Sequence, residues 1–170
     1  KMGRRGSPKV ELVCEKCEVP AANLTGPEGE GFKIAMKVLD KSRPGIAAQA
    51  LGIAQGALDQ ATTYARERMA FGKPIGHQQG VGFMIADMKT EVEAARLLLY
   101  EAARKCDAGA PDVTVWAAMA KLKCGDVAMS VTTDAVQVLG GHGTSTESPV
   151  RRLMPGPQAP LQGLSQCAAQ

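Results

Sequence analysis

The sequence predicts a mainly α-helical domain: an incomplete four-helix bundle preceded by one remnant β-strand. Two observations carry that prediction. Apolar residues recur at helical spacing through three long stretches, each closed by Gly or Pro. Aromatics make up only 4% of the 170 residues while apolar residues make up 45%, so a core must be built from Ala, Leu, Val, Ile and Met. Such a core suits closely packed helices better than a β-sandwich.

The elements follow in order. Residues 9–19 alternate, with Val10, Leu12 and Cys14 on one side and Glu11, Val13 and Glu15 on the other, which predicts a strand closed by Pro20. Residues 23–31 (NLTGPEGEG) read as a loop. From Phe32 the period becomes helical, with Leu39, Ile46 and Ile53 seven apart and Leu51 and Leu58 on a neighbouring row, to about Arg68. Pro44 predicts a kink or a break near residues 40–43. Residues 69–76 (MAFGKPIG) form a turn. A second helix is expected from about His77 to Cys106, with Met84, Met88, Val92, Ala95, Leu99 and Ala102 as one stripe. Asp107-Ala108-Gly109-Ala110-Pro111 stops it. A third starts at Asp112 or Thr114 and reaches about Leu139, with a stripe of Val115, Ala118, Leu122, Met129 and Val136, and Gly140-Gly141-His142-Gly143 ends it. Short turns make these helices antiparallel neighbours, in a bundle missing one member or completed by a second chain. From Met154 onward there is no charged residue and there are three prolines, which predicts a disordered or weakly packed tail.

Twenty basic residues against 17 acidic ones leave a net charge of +3, too small a bias to argue for nucleic acid or an anionic membrane surface. No apolar run approaches the roughly 20 residues of a membrane span. The opening Lys1-Met2-Gly3-Arg4-Arg5 lacks the apolar core of a secretory signal. Five cysteines, an odd number, favour free thiols in a reducing compartment.

Single motifs say little alone. Cys14-x-x-Cys17 has no second pair to complete a zinc site, and on a strand residues three apart face opposite ways. It reads as solvated or half-buried thiols. The Gly140–Gly143 segment follows a helix rather than a strand, which argues against a dinucleotide fingerprint. Its glycines end the helix and let a ligand approach the backbone. His142 reads as a loop residue, and His77 lacks a nearby nucleophile. Arg66 and Arg68 stand near a helix C-terminus, where cations are stabilised in any case. Asp40 and Arg43 form a local (i, i+3) ion pair or meet a polar ligand beside Pro44.

Together, three segments carry a resemblance. Residues 31–79 (GFKIAMKVLDKSRPGIAAQALGIAQGALDQATTYARERMAFGKPIGHQQ) closely resemble the C-terminal helical domain of short- and medium-chain acyl-CoA dehydrogenases. Residues 134–143 (DAVQVLGGHG) resemble that family's second flavin-binding segment, and residues 1–26 its last middle-domain strand with the following linker. The resemblance divides the chain into residues 1–26, the end of the middle β-domain; 27–154, the helical bundle; and 155–170, a divergent tail. It implies an FAD enzyme that removes a hydrogen pair across the α and β carbons of an acyl-CoA. A carboxylate takes the α-proton, the flavin takes the hydride, and electron-transferring flavoprotein takes the electrons. By position, Arg68, Phe71 and Gln78 correspond to flavin contacts. Gln137, Gly140 and Gly141 correspond to contacts that a neighbouring subunit makes with the adenosine half. Asp40 and Arg43 correspond to the DxxR pair that seats the thioester end of the substrate. A homo-oligomer is implied, in the mitochondrial matrix of a eukaryote or the cytoplasm of a bacterium.

Departures from the pattern matter as much. The family's usual base is a Glu after the third long helix, where the nearest counterpart here is Gln162. Some relatives place it one residue before the arginine of DxxR, where this chain has Ser42. Neither is a carboxylate, so no catalytic residue is expected on this chain. Arg4 replaces the small residue usual between the strand-segment glycines. The fourth helix after the base is missing from the pattern. The abrupt change at Pro155 suggests a frame-shifted or alternatively spliced tail, or a fragmentary gene model.

Overall fold

The computed structural model describes residues 10–154. The expected tail, Gln162 included, and Arg4 lie outside them. Three long helices dominate: α1 (Gly31–Glu67), α2 (Gln79–Asp107) and α3 (Val113–Leu139), followed by two short ones, α4 (Gly141–Thr144) and α5 (Pro149–Leu153). Between α1 and α2 lies a two-stranded hairpin, β1 (Met69–Ala70) against β2 (Lys73–Pro74), and a 3-10 turn at Ile75–His77.

Side-chain contacts fix the helix directions. Thr114 Oγ1, at the start of α3, donates to Asp40 Oδ2 in the N-terminal part of α1 at 2.7 Å. At the other end Tyr64 and Arg68 of α1 line one cavity with Val138 and Leu139 of α3. The two helices therefore run parallel. From residue 40 to 64, and from 114 to 138, each covers about 36 Å at 1.5 Å per residue, so they stay in register. α2 runs antiparallel to both: Arg96 bonds Gln55 on α1, and the Cys124 thiol on α3 donates to the Ala95 carbonyl at 3.7 Å. The expected antiparallel arrangement thus holds for sequential neighbours, while α1 and α3 are parallel.

The core is built on alanine. Twelve of the twenty-three buried apolar residues among those described are Ala, including Ala47, Ala50, Ala54, Ala57, Ala61 and Ala65 on α1. Such faces let helix axes approach toward the lower end of the usual 8–10 Å.

The α2 stripe is as expected, with Met88, Val92, Ala95, Leu99 and Ala102 buried and Met84 packed against them. On α1 the row Leu51–Leu58 is buried with the alanines, whereas Leu39 is exposed and Ile46 and Ile53 are half-buried. On α3 the expected stripe is only partly buried: Ala118, Met129 and Val136 are half-buried, with Val136 packed against the core, and Val115 and Leu122 are exposed. Ala117, Ala120, Cys124, Val127, Ala128, Val131, Ala135 and Val138 form the buried face, while Val115 is 57%, Met119 38% and Leu122 51% exposed.

Two further expectations are corrected. α1 is continuous through Pro44, without a break. No residue of 31–46 is fully buried and Pro44 itself is half-buried, so the carbonyl it leaves unpaired is not locked into the packed core. Residues 10–19 form no strand and are exposed throughout. An alternating segment becomes a strand only against a partner edge, and none stands beside it among the described residues.

Replacing fully buried Ala54 or Ala61 with Leu forces the helices apart and costs about 1–3 kcal/mol. Leu122→Ser, on the uncovered face, changes stability by less than about 0.5 kcal/mol. Urea unfolding followed by circular dichroism separates them, and equal effects would contradict the alanine core. Burial also pushes the Cys124 thiol up from 9.0 to about 11, because the thiolate would lose its water. The unfolded chain therefore ionises first as pH rises, so this thiol's contribution is complete below pH 9.0 and is lost as pH climbs to about 11. Cys124→Ala flattens the pH dependence of unfolding across that window, and an unchanged slope would contradict it.

Candidate functional site

The site forms where the C-terminal ends of α1 and α3 meet. Tyr64 lies in the last turn of α1, and Arg68 is the extended residue that follows its end at Glu67. Arg68 caps the helix, its backbone N–H donating to the Tyr64 carbonyl at 2.8 Å. Its carbonyl accepts from the Ile75 N–H at 2.8 Å, which folds the hairpin back onto the helix end. Gly76 permits that close approach, since a Cβ there would lie 3.1 Å from the Ala65 carbonyl oxygen.

α3 ends at Gly140, whose φ of 58° and ψ of −135° are open essentially to glycine alone. The chain then turns back under α3. Gly143 sits so close that a Cβ would fall 2.7 Å from the Val136 carbonyl oxygen. This turn lays the His142 ring on Tyr64, with centroids 5.6 Å apart and planes 6° from parallel.

Tyr64, Arg68, Ile75, Val138, Leu139, Gly140, Gly141 and His142 thus line one open cavity of about 660 Å³. Helix C-termini carry a partial negative charge, so an anion here depends on Arg68 and the glycine backbone. Arg68 is exposed, and no carboxylate pairs with it among the described residues. An unpaired guanidinium beside accessible backbone suits a phosphate, which it grips with a planar fork.

Of the expected cofactor residues, the cavity gathers Arg68, Gly140 and Gly141. Phe71, Gln78 and Gln137 lie outside its lining. Phe71 and Gly72 form the two-residue hairpin turn, both with positive φ (53° and 78°), and Phe71 is 95% exposed. Gln78 precedes α2 and is half-buried, and Gln137 is exposed on the last turn of α3. Tyr64 and His142 had no functional role in the sequence reading of the site. The (i, i+4) spacing of Tyr64 and Arg68 was the available signal for the first. His142 lies within the glycine segment and, though exposed, is held by its stack.

Asp40 and Arg43 form a separate pair. Arg43 Nη1 donates to Asp40 Oδ1 at 2.6 Å, with side chains 19% and 15% exposed for Asp40 and Arg43. With Thr114 on its other oxygen, Asp40 is occupied on both sides. The Ser42 hydroxyl is exposed and donates to the Leu39 carbonyl at 3.0 Å. No group of three or more potential metal ligands occurs among the described residues, and no described helix is long and apolar enough to cross a membrane.

Residues 29–159 match the family model described as acyl-CoA dehydrogenase, C-terminal domain. The chain belongs to the acyl-CoA dehydrogenase family. It is 54% identical over 154 residues to the short-chain-specific acyl-CoA dehydrogenase of Megasphaera elsdenii, covering 91% of this chain and 40% of that relative. Butyryl-CoA dehydrogenase from Megasphaera elsdenii superposes with a TM-score of 0.79 at 48% identity, over 89% of this chain and 42% of that one. A structure described as the electron transferring flavoprotein of Acidaminococcus fermentans gives 0.80 at 49%, over 91% and 43%. The chain thus spans about 40% of the length of the curated relatives it matches. Within this acyl-CoA dehydrogenase domain, the hairpin turn is the strained point. Two positive-φ central residues favour Asn-Gly over Phe-Gly, so Phe71→Asn stabilises the fold by about 1 kcal/mol. Thermal unfolding checks this, and a lower melting temperature would contradict it.

Proposed function

We propose that this chain supplies the helical cofactor- and substrate-positioning surfaces of an FAD-dependent acyl-CoA dehydrogenase. The whole enzyme would oxidise a short- or medium-chain acyl-CoA to its trans-2-enoyl-CoA in fatty-acid β-oxidation and deliver the electrons to electron-transferring flavoprotein. The observation that carries this reading is Arg68, without a carboxylate partner among the described residues, beside the Gly140-Gly141 backbone in one cavity. When bound, FAD supplies the acceptor for the electron pair. Arg68 pairs with a pyrophosphate oxygen, the glycines admit the ligand to the backbone, and the Tyr64–His142 stack walls the cavity. Phe71, Gln78 and Gln137, outside the cavity, contact cofactor that extends beyond it or is shared with a second copy.

On its own this chain does not turn over substrate. Asp40 is held by Arg43 and Thr114, Ser42 stands one residue before the arginine of DxxR, and the nearest counterpart to the family's usual Glu is Gln162. Losing a positioned base costs about 10²–10⁴-fold in rate. A second reading, a non-catalytic helical module that associates with itself or with full-length enzyme, is favoured by Val115, Met119 and Leu122. These lie exposed on successive turns of α3.

The test is the visible spectrum of the purified chain after excess FAD and desalting. A retained flavin band that Arg68→Ala reduces at least tenfold supports the cofactor reading. A colourless protein that forms discrete oligomers supports the module. Turnover of butyryl-CoA or octanoyl-CoA by the isolated chain would contradict the missing base.

A further inference from the structure

The cavity that gathers Arg68 and the two glycines holds a second group whose charge can change. His142 lines it together with Arg68. Its ring lies on the Tyr64 ring, with planes 6° from parallel and centroids 5.6 Å apart. The stack fixes the plane of the imidazole and leaves both ring nitrogens at its edge. Neither nitrogen has a hydrogen-bond partner among the described residues. The chain has two histidines, and the other, His77, lies in the 3-10 turn before α2 and outside the cavity lining.

Several neighbours act on a charge at His142. The Tyr64 face attracts a cation, and so does the partial negative charge at the end of α3, just before it. Arg68 opposes a second positive charge. The last turn of α3 and Ile75 bring no titratable group to the cavity. α5, packed on α4, carries Arg151 and Arg152, which also oppose it. The carboxylates nearest in sequence, Glu67, Asp134 and Glu147, do not line the cavity. Once Arg68 is paired with a phosphate, its opposition falls and an imidazolium gains an acceptor.

We propose that His142 is the second cation of this phosphate site: it takes a proton from solvent when Arg68 holds a pyrophosphate, and the two cations grip that group together. This role rests on the reading of the cavity as a cofactor phosphate site. Histidine ordinarily loses its proton at about pH 6.5, so the ligand is held more tightly below that pH and less tightly above it. The pyrophosphate of FAD is a diester with no ionisation in this range, so its own charge stays constant.

FAD binding to the full chain is followed by flavin fluorescence anisotropy at about pH 5.5 and about pH 7.5, with circular dichroism confirming the helices at both. Wild-type chain binds tighter at the lower pH by about threefold or more. His142→Asn, on an exposed turn, brings that ratio to about one, while His77→Asn keeps it. Arg68→Ala weakens binding at both pH values. Wild-type affinities that are equal at the two pH values, yet weakened by Arg68→Ala, overturn the proposal and leave the cofactor reading standing. A ratio that persists in His142→Asn overturns it as well. No FAD binding by wild-type chain at either pH overturns the proposal and the cofactor reading together.

Discussion

The close, parallel approach of α1 to α3 is the constraint on which the rest of the structure depends. It is made possible by side chains that end at Cβ: Ala47 through Ala65 on one helix, Ala117, Ala120, Ala128 and Ala135 on the other. Larger residues would widen the gap and lose the register linking Asp40 with Thr114 at one end and Tyr64 with Val138 at the other. Because the helices are parallel, both C-termini open on the same cavity. Their partial charges oppose an anion there, so a phosphate site at this end needs a full positive charge of its own. Arg68, just past the last turn of α1 and without a carboxylate partner among the described residues, meets that need.

The same alanines explain which parts of the fold were legible in the sequence. α2 buries Met88, Val92 and Leu99, large side chains whose spacing announces the buried face, and its stripe reads correctly. In α1 and α3 the large apolar residues are conspicuous, yet close packing requires small ones at the contact. The row Leu39, Ile46 and Ile53 therefore falls on the flank of α1 while Leu51 and Leu58 are buried, and the expected α3 stripe runs from exposed Val115 and Leu122 to half-buried Met129 and Val136. Alternation at residues 9–19 misled for a different reason: a strand is stabilised by its neighbour's hydrogen bonds, which local pattern does not supply. The helix extents, by contrast, follow from Gly and Pro punctuation and agree within a few residues.

At the site, Arg68, Gly140 and Gly141 were singled out by the family resemblance rather than by local pattern, and the structure brings the three into one cavity lining. The Tyr64–His142 stack was legible in neither way, because it joins residues 78 apart through the turn that Gly140 and Gly143 permit. Asp40 and Arg43 were legible as an (i, i+3) pair, but the Thr114 bond that restrains Asp40 depends on helix register.

Phe71 shows the complementary side of this economy. A bulky residue with positive φ costs about 1–2 kcal/mol, a sizeable part of the 5–15 kcal/mol that keeps a domain folded. At 95% exposure it recovers almost nothing by packing on its own chain. The exposed row of Val115, Met119 and Leu122 on α3 likewise recovers little burial energy. Both features become favourable only when other matter covers them. For Phe71, at the tip of a hairpin anchored to Arg68 through the Ile75 N–H, that matter must lie outside the cavity formed by this chain alone. A site finished from outside is what the proposed reading of a shared cofactor requires, with Arg68 and the glycines facing one part of such a ligand and the hairpin tip another.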